Sequence, residues 1–260
     1  MTILDQLSAH AKERVEEAKR KITLSDIKSL ALSMKKDEFS FERALKKEGL
    51  SFILECKKAS PSKGLIAEDF PYLKIAKEYE AAGADAVSVL TEPKWFLGKN
   101  DYLKEIAQEI RIPCLRKDFT VDEYMIYEAV TLHASAVLLI CAILSTLQLS
   151  EYIGICDSLG ISALVEAHDE NEIEKALSSN ARIIGVNNRN LKDFSVDTKN
   201  AKRLRSLIPE GILFVSESGV KSEEDIRDVK DSGADAVLVG EAMMRAEDKR
   251  KKLLELKGAL

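Results

Sequence analysis

Charged side chains close several of the apolar runs in this sequence. Phe52-Ile53-Leu54 leads into Glu55, Lys57 and Lys58 before the chain breaks up in Ser-Pro-Ser-Lys-Gly. Thr91-Glu92, Lys117-Asp118, Glu166, Asn187-Asn188-Arg189 and Glu217-Ser218-Gly219 stand at the same place relative to later runs, and Gly240 closes the last. Lysines and carboxylates that share a cavity act as general acids and bases. A lysine ordinarily titrates near ~10.4, and burial or a second cation lowers that value. Lys57 and Lys117, facing one cavity, are therefore expected to lower each other and become usable acids. Ser218-Gly219 and Gly240 point to a second role, because small residues let main-chain amides approach an anion such as phosphate.

The elements that would position these groups follow from a repeat. Ala84-Asp85-Ala86-Val87, Ala134-Ser135-Ala136-Val137, Ala181-Arg182-Ile183-Ile184 and Ala234-Asp235-Ala236-Val237 begin 50, 47 and 53 residues apart. Each follows a helical pattern and opens an apolar strand. Further strands lie between them at Pro113–Arg116, Ser162–Val165 and Ile212–Val215, and Phe52–Leu54 precedes them all. Helical patterns such as Tyr102–Ile110 and Glu223–Asp231 alternate with the strands. A repeated β-α unit implies parallel strands with right-handed crossovers, and eight units close a (β/α)8 TIM barrel. An open doubly wound sheet is the alternative, but no GxGxxG turn follows the first strand.

In such a barrel the chemistry sits where the strands end. A strand alternates its faces, so Glu55 and Lys57, two residues apart, project together into that mouth. Any one of these residues alone reads as a solvated charge or a tight turn. Glu55, Lys57, Lys117, Glu166, Asn187 and Glu217 together occupy five of the eight strand ends, which solubility does not require.

Residues 1 to about 50 are charged and helix-forming, at Leu4–Lys19, Leu24–Met34 and Phe41–Lys47. They read as a helical extension of one barrel domain spanning 1–260, either a solvated cap or a lid over one mouth. The net charge of −5 argues against a nucleic-acid partner. No signal pattern or membrane-length apolar run is present, which points to a cytoplasmic protein away from membranes. Cys56, Cys114, Cys141 and Cys156 have no CxxC spacing and are expected as small core residues in a reducing compartment. His10, His133 and His168 are scattered without a metal-ligand pattern, and no cofactor fingerprint appears.

At these residues the chain resembles the indole-3-glycerol phosphate synthase family of tryptophan biosynthesis. "FILECKKASPSKG" looks like the family signature, and "LRKDF", "LVEAHDENE", "GVNNRNL", "VSESGV" and "LVGEAMMR" follow in the family's order and spacing, from about Phe52 to Arg245. The resemblance implies the substrate 1-(2-carboxyphenylamino)-1-deoxyribulose 5-phosphate, an aryl-aminosugar phosphate, and a ring closure without cofactor or metal. It implies Lys117 as the general acid on the substrate carbonyl and Lys57 as the holder of the anthranilate carboxylate. Glu55 and Glu166 take the acid/base roles, Asn187 orients them, and Glu217 and Ser218 form the polar pair of the seventh strand. Ser218, Gly219 and Gly240 map to the phosphate site, with Glu241, serine in some relatives, adding a backbone amide. Arg189 and Ser60 map to carboxylate recognition; Pro61, Phe96, Phe119 and Leu138 map to the aromatic pocket. Trp95 either shapes that pocket or packs its loop. Association with other tryptophan-pathway enzymes is compatible with the resemblance. A sugar-phosphate isomerase, an aldolase using Lys117 as a Schiff base, and a non-catalytic binding subunit are the alternatives.

Overall fold

The computed structural model describes residues 2–190 and 195–258. Leu191, the last residue of the GVNNRNL stretch, lies outside the described residues. Eight apolar runs form the strands β1 (Ser51–Cys56), β2 (Ala86–Leu90), β3 (Cys114–Lys117), β4 (Ala136–Ile140), β5 (Ser162–Ala167), β6 (Ile183–Asn187), β7 (Leu213–Glu217) and β8 (Ala236–Val239). The helices are α1 (Ile3–Lys21), α2 (Leu24–Ser33), α3 (Ser40–Leu45), α4 (Tyr72–Ala82), α5 (Asn100–Glu109), α6 (Glu123–Thr131), α7 (Thr146–Leu159), α8 (Glu170–Ser178), α9 (Lys199–Arg205), α10 (Glu223–Asp231), α11 (Glu241–Arg245) and α12 (Lys249–Lys257).

Each strand pairs in parallel with its neighbours in chain order, and β1 also pairs with β8, Phe52 opposite Val237. The sheet therefore closes and the open doubly wound alternative is excluded. Closure leaves no unpaired strand edge. A small antiparallel pair, Ala59–Ser60 with Gly64–Leu65, rises from the segment after β1.

The alternation within β1 shows how the strands are used. Phe52, Leu54 and Cys56 pack outward under the helices, whereas Ile53 joins the barrel interior with Leu115, Leu164 and Ile183. The sequence repeat marks the starts of the even-numbered strands, one copy per two β-α units. Its aspartates tie adjacent strands together. The Asp85 carboxylate accepts the Phe52 amide at 2.9 Å, and Asp235 accepts the Phe214 amide at 2.7 Å. Each satisfies a main-chain donor at the start of the adjacent strand.

The helical extension serves both ends of the barrel. Phe41 and Leu45 of α3 are buried in the interior cluster, where the strands begin. The Ser162 hydroxyl accepts the Glu42 amide, and the Ser51 hydroxyl donates to the Ala44 carbonyl, so α3 is held as a stopper. α1 lies at the other mouth. A capping box of Thr2 and Asp5 starts it, and Leu7, Ala11 and Val15 form its buried stripe. Arg14 grips Asp118 with two hydrogen bonds of 2.7 and 3.1 Å, and Lys19 reaches Asp122 at 2.7 Å. Among the described residues no helix is long and apolar enough to cross a membrane.

Candidate active site

A cavity of about 400 Å³ opens where the strands end. Every residue singled out from the sequence as a site residue lines it. β1 supplies Glu55 and, just beyond its end, Lys57; β3 supplies Lys117, β5 Glu166 and β6 Asn187, with Arg189 two residues further on. Glu217 ends β7, Ser218 and Gly219 follow it, and Gly240 and Glu241 follow β8. Ser60 and Pro61 come from the segment after β1, Phe96 and Phe119 from the loops after β2 and β3, and Leu138 from β4.

At its floor Lys117 bridges two carboxylates. Its Nζ donates to Glu166 Oε2 at 2.9 Å and to Glu217 Oε2 at 3.0 Å. Lys57 donates to Glu55 in a short contact beside them. Burial alone would lower the Lys117 pKa, but the charges of Glu166, Glu217 and Glu55 outweigh it and raise it well above the usual lysine value. The expectation that Lys117 would be lowered is thus corrected. Its ammonium has two carboxylates within hydrogen-bonding reach, and the nearest charges dominate.

The carboxylates divide. Burial pushes Glu166 up, but Lys117, His168 and a hydrogen bond from Asn187 bring it below its ordinary value. For Glu217 burial wins over Lys117, the Glu166 charge adds to it, and the pKa is pushed up to about 7. One lysine thus sits between an ionised carboxylate and one poised to carry a proton, the separation that marks paired acid and base roles. Gly185 makes room for it, since a Cβ there would lie 2.1 Å from Glu217 Oε1.

The apolar wall is built by Phe96 and Phe119, with ring centroids 6.1 Å apart, together with Leu90, Leu138 and Ile140. Buried Glu92 accepts the amides of Lys94, Trp95 and Phe96 and so folds the loop that presents Phe96. Trp95 stands edge-on to His10, at 5.4 Å, outside the cavity lining, which resolves its role as loop packing. Thr91 and Asp118, also strand-end residues, bond each other at 2.6 Å and anchor Arg14 of α1.

On the β7–β8 side, Ser218 and Gly219 both have left-handed backbones, with φ of 68° and 101°. A Cβ on Gly219 would lie 2.7 Å from Thr198 Cγ2, so only glycine fits without displacement. At Gly240 a Cβ would meet Glu55 Oε2 at 2.5 Å and Lys57 Nζ at 3.0 Å. Gly240 therefore makes space for the ion pair of β1. The Glu241 carboxylate turns to Arg245 at 3.0 Å and lies 3.7 Å from Lys63.

Sequence reasoning missed Ile3, Leu4 and Leu7 of α1, which also line the cavity, and Lys63 and Lys221 at its rim. The i, i+4 spacing of Ile3 and Leu7 was a usable signal for an apolar face, but nothing local says which mouth it covers.

The sequence model of indole-3-glycerol phosphate synthase matches residues 4–256. The chain belongs to the indole-3-glycerol phosphate synthase family. The match takes in α1 to α3 as well as the barrel, beyond the reach of the strand-end motifs. The indole-3-glycerol phosphate synthase of Ruminiclostridium cellulolyticum is 55% identical over 258 residues, covering 99% of both chains. That of Endomicrobium trichonymphae is 52% identical over 256 residues, 98% of this chain and 99% of the relative. Among solved structures, 3-hexulose-6-phosphate synthase from Salmonella typhimurium superposes with a TM-score of 0.67 at 14% identity, over 81% of this chain and 98% of that one. At that identity the likeness concerns the barrel fold alone.

Proposed function

We propose that this cavity closes the indole ring of 1-(2-carboxyphenylamino)-1-deoxyribulose 5-phosphate, yielding indole-3-glycerol phosphate, carbon dioxide and water, with the chain's own lysines and glutamates as acids and bases. The observation that carries the reading is the Lys117 ammonium held between Glu166 and Glu217 at 2.9 and 3.0 Å. The family's reaction needs an acid at one oxygen twice and a base once, within a few ångströms.

Lys57 holds the substrate carboxylate, and the phenyl ring lies against Phe96, Phe119 and Leu138. As the ring carbon bearing the carboxylate attacks the ketone, the carbonyl oxygen becomes an alkoxide. An alkoxide is a stronger base than an amine, so Lys117 gives up its proton even though its neighbours hold its pKa high. Carbon dioxide then leaves and its bonding electrons restore the aromatic ring. Glu217, pushed up to about 7, recharges Lys117 across 3.0 Å. In the dehydration the new hydroxyl departs as water with a proton from Lys117. Ionised Glu166 removes a proton from the adjacent methylene carbon, and Glu55 keeps Lys57 in place. The phosphate is held by main-chain amides around Gly219 and after Gly240, and Arg189 and Ser60 face the carboxylate end. The four cysteines, buried as free thiols, fit a cytoplasmic setting.

The aldolase alternative needs an unprotonated lysine as nucleophile. A lysine kept charged between two carboxylates does not meet that need. The test is fluorescence-detected formation of indole-3-glycerol phosphate from the synthetic substrate, with a strong chelator present. Turnover is expected; its absence, or borohydride trapping of a substrate adduct on Lys117, would overturn the reading.

A further inference from the structure

His168 lies immediately behind Glu166 and takes no part in the steps above. It follows β5, with its ring between two carboxylates from different elements. Nδ1 lies 2.9 Å from Glu172 Oε2, which also accepts the His168 main-chain amide at 2.8 Å. Nε2 is buried, has no hydrogen-bond partner among the described residues, and lies 3.5 Å from Glu166 Oε1.

The acceptors decide where the ring protons go. An ionised carboxylate can only accept, so Nδ1 must carry a proton toward Glu172. A neutral ring would then aim the Nε2 lone pair at the Glu166 carboxylate, two acceptors facing each other out of water. A proton on Nε2 as well turns that repulsion into attraction. We propose that His168 is a positioning residue, a buried imidazolium that Glu172 holds in place and that keeps Glu166 ionised and oriented as the base of the reaction. The proposal rests on the role given above to Glu166.

The surroundings agree. Besides Glu166 and Glu172, the charged or titratable groups nearby are Glu217 across the cavity, Asp169 at the start of α8, and the Cys141 thiol, which donates to the Glu172 carbonyl at 3.4 Å. Lys175, the cation of α8, turns its ammonium to the Cys141 carbonyl at 2.8 Å. Asn200 of α9 donates to the His168 carbonyl at 3.0 Å, fixing the main chain beneath the ring. Burial lowers the His168 pKa, but the hydrogen bond to Glu172 and the charges of Glu166, Glu172 and Glu217 outweigh it and raise it above the ordinary value. With Glu217 protonated, charges alternate along Glu172, His168, Glu166 and Lys117. Oε1 of Glu166 then faces the imidazolium while Oε2 faces Lys117. Each oxygen has one cation, and the carboxylate plane is set from both sides.

Two measurements test this. The chain has only three histidines, so ¹⁵N spectra of ring-labelled protein resolve each, and a His168→Gln variant assigns the third. His168 is expected to show both ring nitrogens protonated at pH 7, and its titration to move down toward ~6.5 in Glu166→Gln. A neutral His168 ring at pH 7 in the unmodified protein overturns the proposal whether or not any variant folds. In kinetics, His168→Gln is expected to lower kcat about 10–100-fold with KM within about threefold. It should also move the acid limb of kcat/KM up by about one pH unit, because Glu166 loses a cation. Glu172→Gln should move the limb in the same direction by less. Titration of the substrate phosphate is common to all these proteins and cancels in the comparison. A dead Glu166→Gln together with an unmoved limb in His168→Gln overturns the role of His168 alone. Near-normal turnover in Glu166→Gln overturns the reading of Glu166 itself.

Discussion

Where the strands begin, Phe41 and Leu45 enter the barrel and lie among Ile53, Leu115 and Ile183. Where the strands stop, Lys117 lies between Glu166 and Glu217. The strand residues of both sets face inward, Ile53, Leu115 and Ile183 below and Lys117, Glu166 and Glu217 above, and β3 carries Leu115 and Lys117 two residues apart. The lower set removes apolar surface from water and stabilises the fold, at about 25 cal/mol per Å². The upper set takes charges out of water, which costs free energy unless each finds partners. The end that holds the molecule together is therefore distinct from the end proposed to react, and one strand can serve both because only position along it changes.

The contrast is broken most severely at Lys117. Lys117→Ala is expected to lower kcat by ~10²–10⁴-fold with a much smaller change in KM, since a positioned acid contributes that much. Stopped assays across substrate concentrations would show it, and near-normal kcat would remove Lys117 from the role of acid. At the opposite end, Phe41→Ala leaves a cavity under the barrel. It is expected to cost about 3–5 kcal/mol of stability in denaturant unfolding. Its KM should stay at the wild-type value; a raised KM would mean the two ends are not separate.

Gly219→Val probes the side where the phosphate is proposed to bind. The positive φ and the contact with Thr198 exclude a side chain there, so KM should rise about 10–100-fold, with some loss of kcat from misplacing the substrate. The dephosphorylated analogue should lose far less affinity in this variant than the substrate does. Equal losses would move the phosphate elsewhere. Gly240→Val sharpens the distinction: its Cβ would strike Glu55 and Lys57, so kcat should fall more than for Gly219→Val.

The mildest effect is on stability and concerns Glu217. Below pH of about 4.5 the folded and unfolded states both carry its proton; between 4.5 and about 7 only the folded state keeps it. The unfolded state then binds fewer protons, so this group's contribution to stability falls as pH rises through that window and levels off above it. Glu217→Gln cannot ionise. It is expected to gain on the order of 1–3 kcal/mol relative to wild type between pH 5 and pH 8. Urea unfolding at the two pH values measures the difference, and a gap that narrows instead would reverse the sign given to Glu217.

Much of this was legible in the residues, unevenly. The repeat led to eight strands because each copy opens an apolar strand, a pattern set by neighbours along the chain, although the Asp85 and Asp235 caps themselves reach strands 33 and 21 residues upstream. Strand ends carrying Glu55, Lys57, Lys117 and Glu217 announced a site because apolar runs seldom close on charge without cause. The helical extension was legible only as helices. Its α3 sits under the barrel and its α1 beside the mouth, joined by Arg14–Asp118, a pair 104 residues apart in the chain. The role of Trp95 was equally hidden, since its ring partner His10 comes from α1.

The sequence by itself determined the alternation of strand and helix, the face each strand turns inward, and which side chains stand at the strand ends. These depend on neighbours along the chain, through the two-residue pleat and the helical period. Only the tertiary structure decided what those side chains do to one another. Lys117 meets Glu166 from 49 residues away and Glu217 from 100, and closure of the barrel brings both carboxylates within 3.0 Å of its ammonium. A charge responds to distance through space and to burial, not to separation along the chain. That is why Lys117 is held charged although the sequence pointed to a lowered lysine, and why one glutamate is ionised while the other sits near neutrality.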